Sequence, residues 1–454
     1  MKSMTQSEWQ LAIPAYKGGT IDPVLYSCGY AYYEGKDKSL MRQIDGTCAE
    51  EFASYCAELD AAGYKRTFES SIDGNLYVSY TAPDGGRWYV YYLTADKKTG
   101  TARVISESAS STPLEDFCYT AEGKGEFYVF NLNTGADDTY LYRLCDNKWV
   151  VIDGGTDKWR DFDPEGKFAD SLYDFMRERS CLADGEKLVI ASWYHTHAHR
   201  DHFLAFFAMI DQHHEDIVLE RIIANLPDHD VIDHNSNLPD FRREFAKVQE
   251  HFPCVKFLKP HAGMEIQLAN LKITMLYSQE DHLDFWVANR ESFYARWRHY
   301  HSMDASDPQY TECRQSYKVY DINNTSTNAI FEMDKIRTLH LGDGYRWHEL
   351  MKPYYSDETL LCDIIKTAHH FNNEETVQTY CDLCAYGRPM YLVIPSFKIM
   401  LEKNEQKIKA AVGKDQVIIH ARPDVITCFE KQNGAVVASS IPAKYSWYIE
   451  SQKN

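Results

Sequence analysis

The chain has 454 residues, which is too long for one small core and predicts two domains. Its 67 acidic residues outnumber 48 basic ones, giving a net charge of −19, so we expect no nucleic-acid partner, because nonspecific binding of nucleic acid relies on basic residues. No apolar stretch reaches the roughly 20 residues that a membrane span needs, and the first residues are too polar for a signal peptide. We therefore expect a cytoplasmic protein without a membrane partner.

Residues 1–120 show an α+β pattern and carry no cluster of His, Asp or Glu. Residues 48–63 have apolar side chains at helical spacing and end at Gly63, a helix stop signal. Strand-like runs follow at residues 64–70, 75–82, 87–94 and 102–107. Glycine-containing turns between the first three predict hairpins. We expect a small accessory domain that packs on the rest of the chain or pairs two chains into a homo-oligomer, rather than one that binds substrate.

The densest group of candidate metal ligands follows an apolar, strand-like run at residues 187–192. Within six positions the chain carries His197, His199, Asp201 and His202. In an extended segment residues two apart face the same side, so His197 and His199 can hold one ion. A turn after Arg200 would direct Asp201 and His202 to a second ion, since carboxylate and imidazole suit the same borderline metals. The pattern predicts a hydrolytic site with two metal ions at the carboxyl end of a strand.

Later strand-like runs end in residues of the same chemical types. A strand at residues 148–153 ends in Asp153, and two glycines after it permit a tight turn. Two further strands end in Asp343 and in the pair His369 and His370. Ligand sites in layered α/β folds lie at the carboxyl ends of strands, so we expect these side chains to lie beside the histidine-rich segment.

This order of motifs resembles the metallo-β-lactamase fold superfamily, which has His-x-His-x-Asp-His, then an Asp after a strand and later a His. The resemblance covers roughly residues 124–430. It implies an α/β fold, a four-layer αββα sandwich formed by residues 121–454, with the small α+β domain before it. The turn before Asp138, the segment from Asn323 to Ser326 and the His–His pair resemble one branch, the hydrolase domain of ComEC-type competence proteins and related phosphoesterases. Phe371 follows the pair where that branch usually has Gly.

The resemblance also implies roles for individual residues. Asp343 would bridge two ions, His369 would donate to a substrate oxygen or leaving group, and Asp153 would orient a ligand histidine. Asp201, Asp343 and His369 are the catalytic candidates. The cofactors would be two divalent ions, zinc first, with manganese or iron as alternatives. The implied metal ligands are His197, His199, Asp201, His202, Asp343 and His370.

Such a site predicts a metal-dependent hydrolase in which two metals generate a hydroxide that attacks a phosphoester of a small molecule or headgroup. A thioester, lactone or lactam hydrolase of the same fold is an alternative, and a non-catalytic metal-binding module is another. Many superfamily members place a third histidine ligand of the first ion after the strand at residues 271–277. Here only Glu280, Asp281 or His282 could replace it, so the first ion is expected to be held more weakly.

Three other features carry further expectations. His229, His234, His261 and His420 are expected at the surface, whereas His195 is expected to pack beside the site or to support a ligand. The aromatic stretch between residues 280 and 320 is expected either to cover the core or to form a lid beside the site. Twelve scattered cysteines predict free thiols, and the pair Cys381 and Cys384 is expected to pack rather than bind zinc.

Overall fold

The computed structural model describes residues 14–22, 26–27, 39–95, 99–107, 111–130, 138–155, 167–227, 238–282, 302–304, 306–310, 322–371, 373–395, 402–422 and 425–442. Most of the aromatic stretch between residues 280 and 320 lies outside these ranges, as do residues 131–137, which precede Asp138. Within the described ranges, no helix is long and apolar enough to cross a membrane.

The amino-terminal part is an antiparallel sheet with one helix, α1 (Ala49–Ala61). The helix and the four strand-like runs expected from the sequence are confirmed, whereas the strand over residues 40–47 was not predicted. The strands are β1 (Thr20–Ile21), β2 (Tyr26–Ser27), β3 (Leu40–Thr47), β4 (Lys65–Ile72), β5 (Asn75–Thr81), β6 (Arg87–Leu93) and β7 (Gly100–Glu107). Their order in the sheet is β1-β3-β7-β6-β5-β4, with β2 paired to β3.

Both faces of the central strand β6 of this sheet are buried. Successive side chains of a strand point to opposite faces, and β6 follows that rule. Trp88 and Val90 belong to the core beneath α1. Tyr89 and Tyr91 belong instead to the core shared with the larger, carboxyl-terminal part of the chain. The amino-terminal sheet therefore packs directly on the rest of the protein.

The larger part contains two more sheets among the described residues. Their strands are, in chain order, β8 (Glu126–Phe130), β9 (Thr139–Arg143), β10 (Trp149–Asp153), β11 (Leu188–His195), β12 (Ile217–Leu219), β13 (Arg221–Ala224), β14 (Lys256–Leu258), β15 (Glu265–Leu268), β16 (Leu271–Tyr277), β17 (Asn328–Met333), β18 (Ile336–His340), β19 (Ile364–Lys366), β20 (Tyr391–Ile394), β21 (Val417–His420), β22 (Val425–Gln432) and β23 (Ala435–Pro442). The first sheet has the order β14-β13-β11-β10-β9-β8-β22-β23, with β12 beside β11. The second sheet runs from β15 to β21 in chain order.

Helices cover the outer faces of these two sheets. Trp193 of the first sheet stacks on Phe206 of a helix, with 4.3 Å between ring centroids. In the second sheet, Ile364 points into the core between the sheets and Ile365 into the core beneath the helices. The result is the αββα sandwich expected from the sequence. The helices are α2 (Leu114–Phe117), α3 (Lys167–Arg179), α4 (Leu204–His213), α5 (Leu238–His251), α6 (Trp347–Leu350), α7 (Asp357–Leu360), α8 (Val377–Ala385) and α9 (Glu402–Ala411).

Candidate metal centre

The histidine-rich segment occupies the connection between β11 and α4. β11 ends at His195, and the backbone is still extended at His199, with φ −106° and ψ 148°. A single 3₁₀ turn, Arg200–His202, then leads into α4. The expected change from extended chain to turn therefore falls between His199 and His202, and the two halves of the segment point their side chains differently.

Two connections of the second sheet bring further ligand-type residues to the same place. Asp343 follows β18, and its N–H donates to Ser326 Oγ at 3.0 Å. After β19, His369, His370 and Phe371 all have positive φ values, between 48° and 65°. Non-glycine residues rarely adopt this conformation, and each such residue costs of order 1–3 kcal/mol. This strained turn holds His370 against the histidine-rich segment.

Four buried side chains form one group of potential ligands. Asp138, His202, Asp343 and His370 place one donor atom each within 4.8 Å of all the others. The Nε2 atoms of His202 and His370 lie 3.2 and 3.3 Å from the same atom, Asp343 Oδ2. Asp201 joins them, because its Oδ2 lies 3.0 Å from His370 Nε2.

A second pair of rings lies beside this group, and the His197 ring is 4.2 Å from the His202 ring between centroids. His197 Nε2 is 3.1 Å from His199 Nδ1 and 4.0 Å from Asp343 Oδ2. One carboxylate oxygen of Asp343 thus faces two histidine groups. The structure places the six side chains that the sequence indicated as metal ligands next to one another, and their division between two ions stays a prediction.

The spacing of these atoms fits divalent metal ions. Ligand atoms at about 2.0–2.1 Å from a shared ion lie about 2.8–3.4 Å apart for angles between about 90° and 109°. The separations of His370 from Asp201 and Asp343, of His202 from Asp343 and of His197 from His199, all 3.0 to 3.3 Å, match that range. The 4.0 Å between His202 and Asp201 exceeds it. His202 Nε2 is also buried without a hydrogen-bond partner among the described residues.

The electrostatics of the group also favour bound cations. Burial by itself would lower the pKa of His202 and His370, but the Asp343 carboxylate outweighs it, and both pKa values lie well above the usual range. Burial would raise the pKa of Asp343, yet the two rings hold it well below the usual range. The carboxylates thus keep protons on rings that would otherwise be neutral. Divalent metals can replace those protons, since metal ligands must be deprotonated.

Asp153, at the carboxyl end of β10, orients the neighbouring segment. Its Oδ2 lies 2.7 Å from His202 Nδ1, and its Oδ1 accepts a hydrogen bond of 2.8 Å from the N–H of Thr196. His195, which was expected to pack beside the site or to support a ligand, lies 3.4 Å from the same carboxylate and is fully buried. A carboxylate that accepts from one ring nitrogen of a metal-binding histidine fixes the tautomer of the ring. Because Asp153 contacts Nδ1 of His202, Nε2 of His202 is left for the ion.

His369 occupies a different position from His370. Its Nδ1 lies 2.5 Å from Asn373 Oδ1, and its Nε2 lies 3.4 Å from Asn323 Nδ2. It is partly exposed, whereas His370 is 3% exposed and faces the carboxylates. The ring is thus held beside the ligand group by two asparagine side chains rather than within it.

Sequence reasoning did not assign two members of this site, Asp138 and Lys366. Lys366 Nζ lies 2.7 Å from Asp138 Oδ2, and both side chains are buried. Asp138 appeared in the sequence only as the end of a turn. The one sequence signal for this pair was a lysine at the end of the apolar run of β19, because a fully buried lysine nearly always has a charged partner.

Two of the three residues proposed as substitutes for a third ligand of the first ion, Glu280 and Asp281, have other partners. Glu280 lies 2.7 Å from Lys259 Nζ, and Asp281 forms a short ion pair with Arg103 of β7. The expectation that His261 lies at the surface was wrong. It is fully buried between Glu107 and Glu280. The local sequence did not indicate this, because Glu107 is distant along the chain.

Comparison with known proteins adds little to this picture. No family model and no curated protein matches the chain. A solved structure to which it is similar is that of CmlA, a diiron beta-hydroxylase from Streptomyces venezuelae, with 10% sequence identity and a TM-score of 0.24. The match covers 77% of this chain, which spans 59% of that protein. At this similarity we carry no activity or metal from one protein to the other.

Proposed function

We propose that the protein is a metal-dependent hydrolase that binds two divalent ions and acts on a phosphoester of a small molecule or headgroup. The observation that supports this most strongly is the position of Asp343. Its Oδ2 lies 3.2 Å from His202 Nε2, 3.3 Å from His370 Nε2 and 4.0 Å from His197 Nε2, so one carboxylate oxygen could contact two ions. Two ions bound there would supply Lewis acidity and bring the pKa of a water toward roughly 7.

The exposure of the side chains indicates where a substrate enters. His197, His202, Asp343 and His370 are buried, whereas His199, Asp201 and His369 are partly exposed. A substrate would therefore approach on the side of these three residues. His369 lies on that side, fixed by Asn373 at 2.5 Å, in a position suited to donating a hydrogen bond to a substrate oxygen or a leaving group.

A resemblance in sequence favours a phosphoester over an acyl ester, and the charge of the chain is compatible with it. The segment before β17, with Asn323 beside His369, and the adjacent His–His pair resemble elements of ComEC-type phosphoesterases. An anionic substrate is also compatible with the net charge of −19, because two dications dominate the local field of a pocket. Hydrolysis of a thioester, lactone or lactam is the second candidate, since the same ions would polarise a carbonyl group.

The test is a panel of chromogenic phosphodiesters, phosphomonoesters, thioesters and lactams, assayed with protein loaded with zinc or manganese. His370→Ala is expected to lose metal. His369→Ala is expected to keep metal and lose rate, by roughly 10²- to 10⁴-fold, as for a general acid. His213→Gln is the control, because His213 pairs with Asp170 outside the site. Reversed results for His369 and His370 would exchange their roles, and no turnover of any substrate would contradict hydrolysis.

A further inference from the structure

Lys366 is an ammonium group buried beside the candidate ligands. Its side chain is 2% exposed. The register of β19 beside β18 pairs it with His340, which places it next to the connection that carries Asp343. Lys366 Nζ donates to Gly342 O at 2.5 Å and lies 2.7 Å from Asp138 Oδ2 and 3.5 Å from Asp343 Oδ1.

These contacts divide the two oxygens of Asp343 between different partners. Oδ1 faces the Lys366 ammonium at 3.5 Å. Oδ2 faces His202 Nε2 at 3.2 Å and His370 Nε2 at 3.3 Å. The N–H of Asp343 is held by Ser326 Oγ, so the residue is fixed at its backbone as well as at its carboxylate. Rotation of the carboxylate would separate Oδ1 from the ammonium.

We propose that Lys366 is a positioning residue that restricts Asp343 to a single bridging oxygen, Oδ2. Asp138 holds Lys366 in place and is not itself a metal ligand. The inference rests on the proposed dinuclear site and adds to it how the bridging carboxylate is oriented. Without the ammonium, Oδ1 becomes available to one of the ions, and the carboxylate then contacts the pair through both oxygens.

The two roles of Asp138 predict different results for its variants. If Asp138 only anchors Lys366, D138N keeps the amide oxygen as an acceptor for the ammonium and retains both ions. If Asp138 is a ligand, the loss of its charge removes an ion. The double variant K366M/D138N removes both charges together, so it leaves neither an unpaired buried lysine nor an unpaired buried aspartate. K366Q provides the same comparison if the double variant does not fold.

The experiment uses the full chain loaded with Mn²⁺ and combines elemental analysis with electron paramagnetic resonance, which detects the exchange coupling of two bridged Mn²⁺ ions. We expect two coupled ions in the unchanged protein and in D138N, and a shifted coupling signal in K366M/D138N. An unchanged signal in K366M/D138N, or the loss of an ion from D138N, would overturn the role of Lys366. Two uncoupled ions, or none, in the unchanged protein would instead refute the dinuclear site itself.

Discussion

Arg103 lies between the amino-terminal sheet and the larger part of the protein, and its replacement gives a sharp test of how the two are joined. Arg103 and Asp281 form an ion pair whose side chains are only 3% and 4% exposed. Tyr91 also donates to Asp281, at 3.0 Å. Arg103→Met keeps most of the side-chain volume but leaves a buried carboxylate without its counter-charge.

The expected loss is about 3–5 kcal/mol in the free energy of unfolding, the usual cost of removing one member of a buried ion pair. This is a large part of the roughly 5–15 kcal/mol that stabilises a typical domain. Adding Asp281→Asn should recover much of the loss, because an amide oxygen can still accept from Tyr91 without a buried charge. Asp281 lies in the turn after β16, so the loss of the ion pair would destabilise the larger part of the chain, which carries the site.

Urea unfolding at pH 7, followed by tryptophan fluorescence, measures these differences. The matched control is Arg66→Met, since Arg66 of β4 pairs with Asp60 of α1 and Glu69 of β4 but is 35% exposed. It is expected to lose no more than about 1 kcal/mol. If Arg103→Met were no more destabilising than Arg66→Met, the buried pair would not join the two parts as argued.

Three other results are expected. Asp153→Asn should weaken metal binding by roughly 10- to 100-fold in a zinc titration while the protein stays folded, because His202 loses the carboxylate on Nδ1, and unchanged affinity would exclude an orienting role. Burial alone would lower the pKa of His261, but Glu107 and Glu280 raise it to about 9. The unfolding free energy should therefore be highest below about pH 6.5 and fall as the pH rises through about 9, by up to about 3 kcal/mol, and His261→Gln should remove that slope. Chelator titration should remove one equivalent of metal before the other, since His197 and His199 supply fewer protein ligands than Asp201, His202 and His370, and equal affinities would contradict this.

Local patterns predicted the site well where its members lie close together in sequence. The spacing of His197, His199, Asp201 and His202 predicted that these side chains lie together, and the structure places them close to one another. Their division into two groups stays a prediction. Asp343 and His370 were found because each follows a strand, and the carboxyl ends of these strands meet. Both inferences depend only on local periodicity and on the geometry of layered sheets.

Contacts between distant segments could not be predicted in the same way. Lys366 and Asp138 lie far apart along the larger part of the chain, and the sequence near either residue does not predict that the two form an ion pair. His261 was expected at the surface because its partner Glu107 lies 154 positions earlier in the chain. The strand Leu40–Thr47 was missed because its polar residues, such as Arg42 and Gln43, are buried against β7 and interrupt the apolar alternation.

Anomalous diffraction from crystals grown with zinc tests the central claim most directly. Two anomalous peaks are expected, the first between His197 and His199 and the second among Asp201, His202 and His370. Asp343 should lie between them, with Oδ2 toward both peaks. A crystal that binds no zinc at these residues, or a single peak outside the two groups, would contradict the proposed metal centre and the hydrolase function that rests on it.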